Sequence, residues 1–167
     1  MPFLLRKIRK SKWYANQIPW LSENELQADA LTDLGTKNNT LSVWYVEDDK
    51  SNLERIISAL AANRDNVSNF DYALFDFNSE EIINMKIISS SGDSPDELVN
   101  SNWHYELTEL STNQILNLAS LIAHKGEMKR ITEQQVKRLI GEAISHSFLD
   151  YGRIDDKIKN KIVGDSQ

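Results

Sequence analysis

Apolar residues repeat at helical spacing in two stretches of the chain, Leu53, Ile56, Ile57 and Leu60, and Val136, Leu139, Ile140, Ala143 and Ile144. Each repeat makes one stripe on a helix, so each helix must lie against something. Four sites read as helix starts, because a Ser or Thr followed three residues later by Glu or Gln caps two orphan backbone donors reciprocally. They are Ser22 with Glu25, Ser51 with Glu54, Ser111 with Gln114, and Thr132 with Gln135. Three also carry the apolar pair that clamps the chain as it enters a helix: Leu21 with Leu26, Leu110 with Ile115, and Ile131 with Val136. The first helix is expected to end near Leu34 before Gly35, and the third near Lys125 before Gly126, each glycine taking the left-handed conformation that closes a helix.

Between these helices lie short segments rich in β-branched and aromatic residues. Residues 41–47 (LSVWYVE) and 70–77 (FDYALFDF) are the clearest strands. Residues 82–88 (IINMKII) follow as a third, joined by a hairpin turn over residues 78–81, and residues 103–107 form a weaker candidate. Residues 89–95 (SSSGDSP) are turn chemistry throughout and read as the internal linker. This order predicts an α+β fold, with a mixed or antiparallel sheet of about four to five strands, helices packed on it and a C-terminal helical pair.

A chain of 167 residues suits one domain able to bury its own core. Residues 1–150 are read as a single α+β globular domain and residues 151–167 as a short charged C-terminal helix or tail. In that tail Ile154, Ile158 and Ile162 recur four apart with Lys157, Lys159 and Lys161 between them. So thin a stripe suits either folding back on the body or lying in a groove on another chain. Cysteine is absent, which removes disulfides and thiolate metal sites and favours the cytoplasm. The most apolar later stretch, residues 115–123, is interrupted by Asn117 and Ser120, so neither a membrane span nor an export signal is expected.

The net charge of −6 hides an asymmetry. Residues 1–20 carry five basic side chains and no acidic ones, residues 21–100 carry five basic against sixteen acidic, and residues 101–167 carry nine of each. The basic opening, Arg6, Lys7, Arg9, Lys10 and Lys12, stands beside Trp13, Tyr14 and Trp20. Cations beside aromatics can hold phosphates and bases. The following acidic stretch would repel a phosphate backbone, which disfavours nucleic acid. The preferred reading is a strand at an exposed sheet edge, its charges keeping other chains from pairing with it. Phe3 and Leu5 would point one way and Leu4, Arg6 and Ile8 the other.

Residues 46–50 (VEDDK) end a strand with carboxylates and a lysine, the local pattern of a metal-dependent nuclease. Such a site would use Asp48, Asp49 and Lys50, with Asp29, Asp33, Asp71 or Asp76 supplying a ligand from a second element. The competing expectation is that Asp48 and Asp49 favour the start of the helix behind them. Asp71 and Asp76 fall on opposite faces of one strand and form no acid/base pair unaided. His104, His124 and His146 show no zinc spacing, and His104 is expected to pack in the core between Trp103 and Tyr105. The six glycines match no phosphate loop and no GxSxG elbow occurs, so no cofactor is implied.

The favoured expectation is a non-catalytic binding or regulatory protein that recognises a protein partner through charge-complementary surfaces. The acidic middle would suit blocking a basic surface on a toxin or nucleic-acid-handling protein. Candidate contacts are Arg6, Lys7, Arg9, Lys10, Trp13, Trp44 and Trp103, since buried arginine and tryptophan dominate interface energies. The alternatives are a metal-dependent hydrolase or nuclease using the acidic cluster, and nucleic-acid binding through the basic arm.

Overall fold

The structure, a computed structural model, describes residues 1–14, 18–22 and 25–164. Six strands form one antiparallel sheet: β1 (Phe3–Lys7), β2 (Leu41–Val46), β3 (Phe70–Asp76), β4 (Lys86–Ser89), β5 (His104–Thr108) and β6 (Glu127–Ile131). Their order is β4-β5-β2-β1-β3-β6. The helices are α1 (Leu53–Ala62), α2 (Glu80–Ile83), α3 (Thr112–Lys125), α4 (Glu133–Ser145) and α5 (Asp156–Gly164), with a 3-10 segment Ala28–Leu34 and a π turn Val99–Trp103. This is the α+β class expected, with more strands than the pattern indicated.

Alternate strand residues face opposite layers, and both layers are covered. On one side Leu5, Val46, Tyr72 and Leu74 meet α1, α4 and α5 through Ile56, Ile57, Leu139, Ile140 and Ile158. On the other, Leu4, Val43, Phe75 and Leu107 meet the 28–34 segment, α2 and α3 through Leu34, Ile82, Leu118 and Ile122. Burial on both faces explains why β3 is almost continuously apolar rather than alternating.

β1 is not an edge strand. It pairs with β2, Phe3 opposite Val46, and with β3, Lys7 opposite Tyr72. The alternation read from its sequence is right, since Leu5 and Leu4 enter different layers. Its position was misread because the charges outweighed two adjacent leucines, which only a strand covered on both sides can bury. Arg6 is carried into the interior and donates from Nε and Nη2 to the Asp33 carbonyl at 2.9 and 2.8 Å, and from Nη1 to the Ser42 carbonyl at 2.8 Å. The charged edge is instead β6 (EMKRI), a strand its polar composition concealed.

Capping boxes form at Ser111 and Thr132, with both reciprocal bonds present. None forms at Ser51, because α1 begins at Leu53 with Asn52 at its cap, and Asn52 turns back to bond the backbone of Glu47 and Tyr45. Of the box expected at Ser22, the Ser22 N–H donates to Glu25 Oε2 at 3.2 Å; Glu23 and Asn24 lie outside the described residues, residues 25–27 are not helical, and the helical turn that follows begins at Ala28. Gly35 and Gly126 follow helices but have φ of −57° and −76°, not left-handed. Gly126 is required for close approach instead, since a Cβ there would lie 2.4 Å from the Ile122 carbonyl oxygen.

Residues 82–88 divide into the end of α2 and the short β4, which leaves β3 and pairs with β5 at the far edge. The 89–95 segment is not a free linker. Ser94 and Asn100 form a buried polar knot, Asn100 Nδ2 donating to the Ser94 carbonyl at 2.8 Å and Ser94 N donating to Asn100 Oδ1 at 2.9 Å. In the C-terminal stretch Ile154 and Ile158 are buried and Ile162 packs beside them, so α5 folds back toward α4. No helix of the described residues is long and apolar enough to cross a membrane.

Candidate functional site

β2 ends beside the start of β1, and the chain turns through residues 47–50 into α1. Lys50 closes this turn in the left-handed conformation, φ 58°, with its N–H donating to the Glu47 carbonyl at 2.9 Å. Such a conformation is uncommon outside glycine and is held here by the strand on one side and Asn52 on the other. The turn points Asp48 and Asp49 outward. The Asp49 carboxyl is held below the usual carboxylate range, first by the Ser51 side chain and then by the Ser51 N–H at 2.9 Å.

These carboxylates, with Glu47, rim a cleft of about 860 Å³ whose other walls are Arg55, Trp103 and Phe148. Arg55 donates from Nε and Nη2 to Asp96 at 2.6 and 3.0 Å. Its guanidinium lies 4.0 Å from the ring centre of Phe148 and 5.9 Å from that of Trp103. Asp96 is 0% exposed and also accepts the N–H groups of Leu98 and Val99 at 2.9 and 3.2 Å. Arg55 is therefore neutralised within the protein, while the Glu47 side chain makes no ion pair among the described residues. A second hollow between α1 and α4 shares Arg55 and Phe148 and adds Glu54, Glu142 and His146. The two make one groove across the start of α1.

Of the contacts expected from sequence, only Trp103 lines this cleft. Trp44 lies beside it, with an edge-on contact to the buried His104 ring at 5.4 Å. Trp13 is 3% exposed and donates its Nε1 to Asp33 at 2.9 Å, which makes it a core residue rather than a surface contact. Arg6 is occupied by backbone carbonyls, and Lys7, Arg9 and Lys10 lie toward the other end of β1.

The carboxylates of the nuclease-like reading do not converge. Asp33 accepts from Arg9 N and Trp13, Asp71 binds Arg130, and Asp76 accepts from Asn78 N. Lys50 is drawn to Glu127 at 2.8 Å and lies over the Phe3 ring. Among the described residues no three Asp, Glu or His side chains are grouped to hold a metal ion. Sequence reading missed Arg55, Asp96 and Phe148. They come from three separate segments, and no local pattern joins them.

Asp71 is structural. Arg130 Nε and Nη2 reach it at 2.7 and 2.9 Å and the Lys10 N–H at 2.9 Å, fastening β6 and the start of the chain to β3. These bonds, that of Arg130 foremost, hold its carboxyl below the usual range against partial burial. A lowered folded pKa means its contribution is complete above the unfolded value of about 3.9 and drains as pH falls through the folded one. Asp71→Asn is expected to cost about 1–2 kcal/mol at pH 7, discounted for the exposed Arg130 side. Urea unfolding at a series of pH values should show the gap to the parent protein closing below about pH 4; a gap independent of pH would contradict this role.

Compared with family models, with curated proteins and with solved structures, the chain matches none.

Proposed function

We propose that the protein is a non-catalytic binding module whose acidic, aromatic-walled cleft takes a basic segment of a protein partner. One observation carries this reading: among the described residues the only cation lining the cleft, Arg55, is already satisfied by Asp96, and with Asp48 taken by the Met1 amine the Glu47 and Asp49 carboxylates stand at the rim without an ion pair, beside the rings of Trp103 and Phe148. A lysine or arginine entering there gains charge-assisted hydrogen bonds from the rim and cation–π contact with the rings. The cleft volume is that of a side-chain or small-ligand site. A basic face on a toxin or nucleic-acid-handling protein is the kind of surface this charge pattern complements. The cysteine-free composition supports a cytoplasmic setting.

The test is titration of a fluorescent arginine-rich peptide into the intact protein, followed by anisotropy and by tryptophan emission. Saturable one-to-one binding is expected, weakened about tenfold or more in Glu47→Lys/Asp49→Lys and falling as salt rises. Both positions lie outside the core, so an unchanged melting temperature separates lost binding from lost folding. Equal binding by parent and variant would remove the cleft from consideration. Capture from a lysate with the same pair of proteins would then name the partner.

A further inference from the structure

The other end of β1 carries the opposite charge. Lys7 ends the strand, and neither its ammonium nor the Arg9 guanidinium makes a hydrogen bond or ion pair among the described residues. With Arg64, from the segment after α1, they line a cleft of about 360 Å³ completed by Asp65, Ser68, Asn69 and Asp71. Arg64 is positioned rather than loose. It lies 4.7 Å from the Phe70 ring centre and donates from Nη1 to Ser68 Oγ and the Asn69 carbonyl, both at 3.1 Å, while its buried Nε has no partner.

The charges in this cleft do not cancel. Lys7, Arg9 and Arg64 face Asp65 and Asp71, Asp71 being shared with Arg130, and Asp33 acts on Lys7 from nearby, so the three cations of the lining still outnumber its two carboxylates. The Lys7 ammonium is held below the usual lysine range, first by burial and then by the nearby Arg64, Arg6 and Arg9 charges, against the opposing pull of Asp33. Like charges crowded in excess of their counter-charges carry an electrostatic cost that a bound anion relieves.

We infer that this cleft is a binding site for a phosphate dianion, carried on a small molecule or free. Three cations converging on one cleft suit the roughly −1.5 to −2 of a phosphate monoester near neutrality. Guanidinium forks and an ammonium supply the donors such a group requires, and the Ser68 hydroxyl adds another. The small volume takes a phosphate with a short organic group. A polymeric nucleic acid would have to cross a surface whose net charge is −6.

The experiment is NMR and calorimetric titration of the intact protein with inorganic phosphate, with glycerol 3-phosphate, and with a single-stranded oligonucleotide lacking terminal phosphates, all at constant ionic strength. Saturable one-to-one binding of at least one phosphate, with shifts confined to residues 7–9 and 64–71, is the expected result. The ratio of the two affinities tells whether the free anion or an ester is the ligand. Lys7→Gln/Arg9→Gln is expected to weaken binding about tenfold or more and Arg9→Lys only slightly, because a guanidinium adds its fork to charge the ammonium already supplies. Both side chains are free of structural bonds, so melting should be unaltered, and arginine-peptide binding at the acidic cleft should persist. Unchanged phosphate binding in the double variant, absence of saturation, or tighter binding of the oligonucleotide would overturn the assignment.

Discussion

Replacing Asp96 with alanine is expected to remove about 3–5 kcal/mol of folding stability, the range for breaking a buried ion pair from one side. For a chain of this size that corresponds to roughly a 10 °C fall in Tm. The carboxylate is inaccessible to solvent and accepts four hydrogen bonds, two from Arg55 and one each from the Leu98 and Val99 N–H groups. Alanine leaves a guanidinium without a counter-charge against two aromatic rings and uncaps the turn that leads through residues 99–103 into β5. Asp96→Asn should be milder, because its carbonyl can still accept backbone donors although its amide meets Arg55 badly. The coupling is read from a double-mutant cycle with Arg55→Ala, in urea unfolding, and a coupling below about 0.5 kcal/mol would mean that the two side chains act independently. The cycle also bears on the cleft, because losing Asp96 makes Arg55 a free cation in its wall and should weaken arginine-peptide binding in any variant that still folds.

The second large effect belongs to β1. Leu4→Ala and Leu5→Ala should each cost about 2–5 kcal/mol, the cost of a buried leucine truncated in a packed core. Both side chains are 0% exposed and they enter different layers, so the losses should add. Their sum approaches the whole stability of a typical domain, about 5–15 kcal/mol, and the double variant should be largely unfolded at room temperature. Circular dichroism and denaturant titration of the two single variants decide the matter. If one of the two were nearly neutral, β1 would have only one covered face.

The physical basis of what could be read in advance is visible in these residues. Ser111 with Gln114 and Thr132 with Gln135 were legible because a capping box is local, its donors and acceptors lying within three residues. The apolar stripe of α4 was legible for the same reason. Ser51 failed because Asn52, one residue on, had a better use for its amide in pinning the preceding turn, a competition periodicity does not register. β6 escaped notice because Glu127, Lys129 and Arg130 make it look like a loop, and only its pairing with β3 makes it a strand. In the acidic cleft, the rim and the Trp103 wall were legible and the Arg55 and Phe148 walls were not. Glu47, Asp48 and Asp49 are neighbours in sequence, whereas Arg55 and Asp96 meet across 41 positions, and only the tertiary fold brings Phe148 to them.

The strand order also dictates a folding schedule. β1 sits in the middle of the sheet, but its partners begin at Leu41 and Phe70 and arrive from later in the chain. Two leucines that end in opposite layers must therefore wait without shelter while two long loops close around them. Contacts of such sequence separation slow folding, since loop-closure entropy is spent before the pairing that rewards it. During vectorial synthesis the sheet cannot be stitched through its centre until Asp76 has emerged, and the edge strand β6 can join only after that.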